Sequence, residues 1–436
     1  MSSIWRQECD MPGFEPARGE LRTDVLVIGG GIAGLLCAHF LRQSGVDCLL
    51  VEAGRLCGGV TQNTTAKITS QHGFVYHTLV PRFGTEGAGI YYQANQWALA
   101  EYRRLCAGIG CNFSPVDSFA YSRQDAAVLE REMAALSAIG AAAERTEDVP
   151  LPIPTAGAIR FPDQAQFHPL KFLSAIAKPL NIREHSPVRT LAPGLAITDQ
   201  GRIRAEAIVV ATHFPILDRH GGYFLKLYQH RSHVLALENA PALRGMYVDG
   251  EGDGLSFRMH RGQLILGGGS HRTGKSGGGW APLEAFAQTH YPRSAVRARW
   301  AIQDCMSLDA MPYIGAYSRQ ARGLYVATGF CKWGMTWAMA GGKLLSDRIL
   351  GRDNPWAALV SPSRSMLRPQ LAVNGWEAAL SLLTPSAPRC PHMGCALKWN
   401  PQEHSWDCPC HGSRFTRKGA LLENPAEGDL KNPPEK

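Results

Sequence analysis

The sequence predicts an α/β fold built on a parallel sheet, with a separate Cys/His-rich centre close to the C-terminus. Three observations predict it. Residues 24–52 read as strand, glycine turn, helix and second strand. Two further buried-strand patterns, at 207–212 (AIVVAT) and 324–337 (LYVATGFCKWGMTW), each run into a small-residue turn. Four of the twelve cysteines fall between Cys390 and Cys410, whereas the other eight are dispersed.

The first segment, DVLVIGGGIAGLLCAHFLRQSGVDCLLVE, opens on a short β-branched run, as a buried parallel strand does. Gly29, Gly31 and Gly34 then form G-x-G-x-x-G, an apolar helical pattern runs to Gln43, and Gly45 ends it. The next strand closes on Glu52, 18 positions beyond Gly34. A lone glycine motif is weak evidence, but this one follows a strand, opens a helix and is followed by a carboxylate. Gly29 permits the tight turn, Gly31 lets the backbone approach a pyrophosphate, and Gly34 allows close helix–strand packing. The helix N-terminus offers N–H groups and positive dipole to phosphates, and Glu52 is expected to accept from ribose hydroxyls. The alternative is an ordinary βαβ unit without a ligand.

Size and composition narrow the class. A chain of 436 residues with 45% apolar and 19% charged side chains buries a core without disulfide staples. Its net charge of +8 is scattered with no block of like charges, which argues against a nucleic-acid or membrane patch. The first 21 residues carry six charges and no apolar leader core, and the longest uncharged run, 25–41, holds four glycines. No membrane span is expected. A cytoplasmic location is.

Residues 58–73 (GGVTQNTTAKITSQHG) form a polar, glycine-rich stretch that a simple nucleotide-binding helix does not need. The helix start at Gly334, Met335 and Thr336 could offer amides to a flavin pyrimidine edge. Together with DAMPYIG (309–315), these segments resemble the glycine oxidase and D-amino-acid oxidase superfamily of FAD-dependent oxidoreductases. The resemblance implies a Rossmann-type α/β FAD-binding domain interleaved with an antiparallel α+β substrate domain, over residues 20–355. FAD-binding segments are expected at about 22–82, 150–215 and 310–352, and the substrate domain at about 83–149 and 216–309. The expected cofactor-binding set is Gly29, Gly31, Gly34, Glu52, Ala53, Thr61, Thr65, Ala66, Val188, Ala211, Thr212, Gly329, Gly334, Met335 and Thr336. One departure stands out. Many relatives carry a carboxylate-clamping Arg shortly after the Trp of this region, whereas Trp300 is followed by Ala301, Ile302, Gln303 and Asp304. The bidentate fork for an α-amino-acid carboxylate is missing there.

Residues 390–415 read CPHMGCALKWNPQEHSWDCPCHGSRF. Cys390-x-His392 and Cys408-x-x-His411 supply two thiolates and two imidazoles, the ligand set of a Rieske [2Fe–2S] cluster. Zinc is the competing reading, but finger sites space their ligands differently. The flanking residues resemble Rieske proteins of the cytochrome bc type. That resemblance implies a small all-β cluster-binding domain at 386–436, a Cys395–Cys410 disulfide and a Ser413 hydroxyl directed at the cluster. Phe415 stands where high-potential members have Tyr, so one sulfur-directed hydrogen bond fewer and a lower potential are expected. The stretch 356–385 is too short for the usual strands ahead of the first ligand and is expected to be a linker or truncated base.

Single residues were weighed against plainer readings. Lys67 is either a cation beside the flavin or a solvated lysine, and Lys332 and Trp333 are expected to wall a substrate pocket. His72 and His168 are expected to be hydrogen-bonded structural histidines, and Cys305 an ordinary thiol, with covalent flavin attachment, as in some sarcosine oxidases, as the weaker alternative. Residues 125–146 are expected to form one alanine-rich amphipathic helix. The expected function is that of an FAD-dependent dehydrogenase acting on an amine or amino-acid-like substrate. Electrons pass between FAD and the cluster to an external one-electron acceptor. A non-catalytic electron-transfer or redox-sensing flavo-iron–sulfur protein is the alternative. A Rieske oxygenase needs an iron domain downstream, and only 25 residues follow His411.

Overall fold

A computed structural model describes residues 2–216, 221–252, 254–385, 388–431 and 433. Its first layer is an eight-stranded sheet centred on Gly19–Ile28, which pairs in parallel with Gly201–Val210 on one side and Cys48–Val51 on the other. Leu324–Thr328 extends it beyond Gly201–Val210, and Asn181–Arg183 beyond Cys48–Val51, both in parallel. The inner ends of these strands are continuous apolar runs because helices cover them. The first of these helices, Ile32–Gln43, spans the range read from sequence and is ended by Gly45 at φ +77°. Gly334–Ile349 packs across it so closely that a Cβ on Gly342 would lie 3.0 Å from the Cys37 nitrogen.

The second layer is a nine-stranded sheet. The pair Leu227–Glu238 and Ala295–Ser307 is its longest ladder, and its strands are antiparallel except where Met246–Asp249 meets Ser114–Ser122. Two strands expected within the FAD-binding segments belong to this sheet instead. Gly157–Gln166 pairs antiparallel with Ser114–Ser122, and Lys67–Ile68 pairs with its far end. The alternating side chains of 157–166 suit a sheet with two different faces better than a buried parallel strand. The helix expected over 125–146 stops at Ala138: Gly140 turns the chain at φ +68°, and Glu144–Thr146 is an edge strand.

The third unit is a four-stranded antiparallel sheet of Lys398–Asn400, Ser405–Asp407, Arg414–Thr416 and Leu421–Glu423. Ahead of it, the stretch expected as a linker contains the helix Pro369–Leu383. The expected limits of this unit, 386 and 436, lie outside the described residues. Among the described residues no helix is long and apolar enough to cross a membrane.

Candidate functional site: a nucleotide cavity walled by a cluster-binding tip

The glycine turn after Gly19–Ile28 is shaped by steric necessity. A Cβ on Gly34 would lie 1.9 Å from the Gly29 carbonyl oxygen, and Gly29 itself sits at φ +112° against the Ala211 carbonyl. Gly31 meets only the Thr61 hydroxyl, at 3.3 Å, so its other side is open to a ligand. Thr61 accepts from the Ile32 N–H, which fixes the first turn of the helix. The Glu52 carboxylate accepts from Gly30 N (2.6 Å) and Gly54 N (2.8 Å). Burial raises its pKa, and these N–H donors oppose the rise. Glu184, which sequence reasoning missed, braces the same loops by accepting from Phe14 N and Leu56 N.

The turn opens on one cavity of about 810 Å³. Gly29, Gly31, Glu52, Ala53, Thr61, Thr65, Val188, Ala211, Thr212, Gly334 and Met335 all face it. Gly34, Ala66, Gly329 and Thr336 stand behind the wall. Ala66 gives its carbonyl to Arg258, and the Thr336 hydroxyl contacts His72. Gly329, at φ +70°, turns the chain between the strand and Cys331. Its lining runs from Glu52 to Ser232 and Ile302 of the antiparallel sheet, and its glycine cradle fits a dinucleotide.

At the sheet end stand Lys67, Lys332 and Trp333. The solvated reading of Lys67 is wrong. It is buried, its Nζ is 3.3 Å from the Ser256 hydroxyl, and burial, with the Arg258 charge second, pushes its pKa down to about 7. Lys332 donates to Ser270 Oγ at 2.7 Å. Trp333 stacks on His72 at 4.5 Å, so His72 is structural but also part of the wall. Burial takes His72 down to about 3, and it stays neutral. His168 caps the Pro169–Ala177 helix, as expected of a structural histidine. Cys305 is a buried thiol on the cavity wall. Asp304 is the group the sequence reading passed over: it lines the cavity, and burial raises its carboxyl to about 6 although Lys332 and Arg231 oppose the rise. Only its strand register, alternate to Gln303, could have signalled it. Gln303 itself points the other way.

The cysteine-rich loops come together around Cys408, the one expected ligand in a close group with Cys395 and Cys410. The Cys395, Cys408 and Cys410 sulfurs lie within 4.8 Å of one another. The neighbouring Cys408 side chain holds the Cys390 pKa below the usual thiol value. The His392 and His411 rings meet edge-on at 4.9 Å. Two thiols and two imidazoles from opposed loops are the donor set a [2Fe–2S] cluster of this type takes. The buried Ser413 hydroxyl accepts from Ala426 N, and Phe415 is fully buried. Cys395 and Cys410 are free thiols in this structure.

The tip of this unit is docked on the two larger layers. Gln303 donates to the Gly412 carbonyl (2.9 Å) and accepts from Thr273. His411 Nε2 is 3.0 Å from the Phe224 carbonyl, and Arg272 donates to the carbonyls of Pro409 and Cys410. Asn424 donates to the carbonyls of Thr212 and Phe214, in the turn that walls the cavity. Beneath lies an ion cluster. Arg231 of the large sheet pairs with Glu403 and Glu423, and Arg414 pairs with Glu403, Asp407 and Glu423. Residues 421–424, 426 and 427 also line the cavity, so one wall is shared.

A family model described as FAD dependent oxidoreductase matches residues 24–348. The chain belongs to the FAD-dependent oxidoreductase family. A second model, the Rieske [2Fe-2S] domain, matches residues 384–434. The Bacillus subtilis protein YhfW, named as a Rieske 2Fe-2S iron–sulfur protein, is 30% identical over 497 residues, covering 98% of this chain and 97% of that one. The iron–sulfur subunit 3 of the cytochrome b6-f complex of a Nostoc species is 31% identical over 100 residues, 21% of this chain and 56% of the subunit. Among solved structures, glycine oxidase of Geobacillus kaustophilus superimposes with a TM-score of 0.66 at 21% identity, covering 79% of this chain and all of that one. L-amino acid deaminase of Proteus vulgaris gives 0.64 at 15% identity, over 81% of this chain and 100% of that one. This family member is an oxidoreductase whose cofactors are FAD and a Rieske-type [2Fe–2S] cluster.

Proposed function

We propose that the protein is a dehydrogenase of an amine or amino-acid-like substrate that delivers electrons, by way of its cluster, to an external one-electron acceptor. The observation that carries this reading is the shared wall: residues of the cluster unit line the same cavity as Gly29, Gly31 and Glu52. When bound, FAD supplies two-electron oxidation and the cluster one-electron transfer. The chain's residues do the rest. The glycine cradle and Glu52 hold the nucleotide, and Cys390, His392, Cys408 and His411 hold the cluster, with Cys395–Cys410 as its clasp. Asp304 faces the substrate end as a counter-charge for an ammonium group. With a carboxyl poised at about 6, it can take up the proton that an amine must lose before its carbon gives up hydride. Lys67, at about 7, and the Lys332–Ser270 pair supply cationic and hydroxyl donors, and Trp333 and His72 exclude water. Structures of amine and amino-acid oxidising enzymes among the neighbours support the substrate class.

The test is anaerobic. Reconstituted protein is mixed with a panel of amines and amino acids while flavin absorbance and the EPR signal of the reduced cluster are followed. The expected result is flavin bleaching followed by the cluster signal. If reduced external donors fill the cluster and no amine bleaches the flavin, the electron-transfer alternative holds instead.

A further inference from the structure

The Pro369–Leu383 helix is built inside out. Its protein-facing side is polar. Asn374 accepts from Arg272, Ser381 exchanges hydrogen bonds with the Ala396 backbone, and Glu377 pairs with Lys275 at 2.6 Å. Its solvent side carries Val373, Trp376, Leu380 and Leu383, with Trp376 66% and Leu383 80% exposed. Among the described residues, seven of the nine large apolar side chains left most exposed belong to this helix, its flank at Leu367, or Met393. Scattered exposed apolar residues need no explanation, but a contiguous patch on an inverted helix marks an interaction surface.

The patch is continuous with the cluster loop. Met393 follows the ligand His392 directly, and Arg389 ties the two together. Its guanidinium donates to the carbonyls of Ser381, Leu382 and Thr384 at the helix end, and to Gly394 in the loop. Whatever covers the helix therefore stands beside the cluster. Its charged margin is one-sided as well: Arg389 and Lys398 are exposed, Glu377 is paired with Lys275, and Arg364 is turned inward on Asp309. Charge-poor apolar centres with one-signed margins are the pattern of steered protein–protein encounters.

We propose that this face is the docking site for an acidic one-electron carrier protein with an apolar contact face. The inference rests on the reading of the protein as a donor to an external acceptor, and deepens it by naming the surface and the partner's chemistry. One electron leaves the reduced cluster and enters the carrier's metal centre, with no bond made or broken.

The experiment uses holoprotein whose cluster is reduced with dithionite and freed of excess reductant, so no substrate is needed. Oxidation of the cluster by an acidic plastocyanin is followed by stopped flow, with basic cytochrome c and ferricyanide as comparisons. The expected rate with plastocyanin exceeds that with cytochrome c and falls as salt is added. Trp376→Ser slows it at least about tenfold, as loss of a central aromatic contact does, and leaves the ferricyanide rate unchanged. Lys398→Glu slows it independently of any loss of apolar area. An unchanged rate in both variants, or a rate indifferent to salt, overturns the proposal. So does a wild-type dimer that Trp376→Ser dissociates in sedimentation, since a second copy then covers the face. Flotation with phosphatidylglycerol vesicles that the same variant abolishes overturns it too, in favour of a lipid surface. Because the cluster is reduced chemically, failure to find an amine that bleaches the flavin leaves this result readable, and failed docking leaves the amine result intact.

Discussion

Gly34 shows how much a single hydrogen in place of a methyl decides at this site. A Cβ there would stand 1.9 Å from the Gly29 carbonyl oxygen, and that carbonyl belongs to backbone with no room to retreat. Gly34→Ala is expected to open the turn and release the nucleotide, so the purified variant should carry little flavin by absorbance while its far-UV circular dichroism stays close to wild type. Lys67 supports a second prediction, on pH. Unfolded it titrates near 10.5 and folded near 7, so between those values the unfolded chain holds the extra proton. Stability from this group therefore rises with pH through that window, and the full penalty of burying the charge applies below it. Lys67→Met removes the penalty. Melting temperatures of flavin-free protein should favour the variant at about pH 6 and converge at about pH 10. Both residues were visible in the sequence, but only Gly34 came with its reason. A motif fixes the backbone turn, whereas the burial of Lys67 depends on Ser256 and Arg258, which strand pairing brings from nearly two hundred positions away.

At the scale of elements, what could be read followed the range of the interactions. The Ile32–Gln43 helix was legible because its glycine start and Gly45 stop are local. The 125–146 stretch was overextended because alanine propensity runs past Gly140, and only pairing with Gly157–Gln166 makes 144–146 a strand. Pro369–Leu383 lies in a stretch read as a linker from its length, although Val373, Trp376, Leu380 and Leu383 recur at helical spacing. A Rieske domain was legible from the Cys/His spacing, but its docking was not, because it runs through Gln303, Arg272 and Asn424, residues without a motif. Gly412 makes this docking testable. It sits at φ +83°, and a Cβ would fall 2.4 Å from Gln229 Cγ, close to the backbone end of that side chain. Gly412→Ala should push the tip away from Gln229 and Gln303. The expected outcome is slower flavin-to-cluster transfer in single turnover, with the cluster EPR signal retained. An unchanged transfer rate would show that this contact does not position the tip.

Across the whole molecule, the ion cluster at Arg231 is one of the contacts that join the cluster unit to the flavoprotein layers, and its electrostatics set a pH limit on the assembly. Glu403 is buried, which by itself would raise its pKa. The hydrogen bond and charge of Arg231, with help from Arg414, hold it at about 2 instead. A carboxyl held below its unfolded value of 4.5 contributes stability that is full above 4.5 and is lost as pH falls towards 2. Acid should therefore loosen the 398–423 sheet from the large sheet within that window. Replacing Arg231 should do the same at neutral pH. Arg231→Ala leaves Glu403 and Glu423 sharing Arg414, with the His233 ring 3.8 Å from Glu403, and removing one partner of a buried pair costs about 3–5 kcal/mol. The measurement is hydrogen exchange resolved along the chain. Amides of the cluster unit should exchange faster in the variant, while those of Gly19–Ile28 and Gly201–Val210 keep their protection. Because residues 421–424 wall the cavity, flavin should also dissociate faster. Faster exchange without faster flavin release would mean that the shared wall is not part of the cofactor's hold. Equal exchange in both proteins would mean that the carbonyl contacts of Gln303, Arg272 and Asn424 carry the docking unaided.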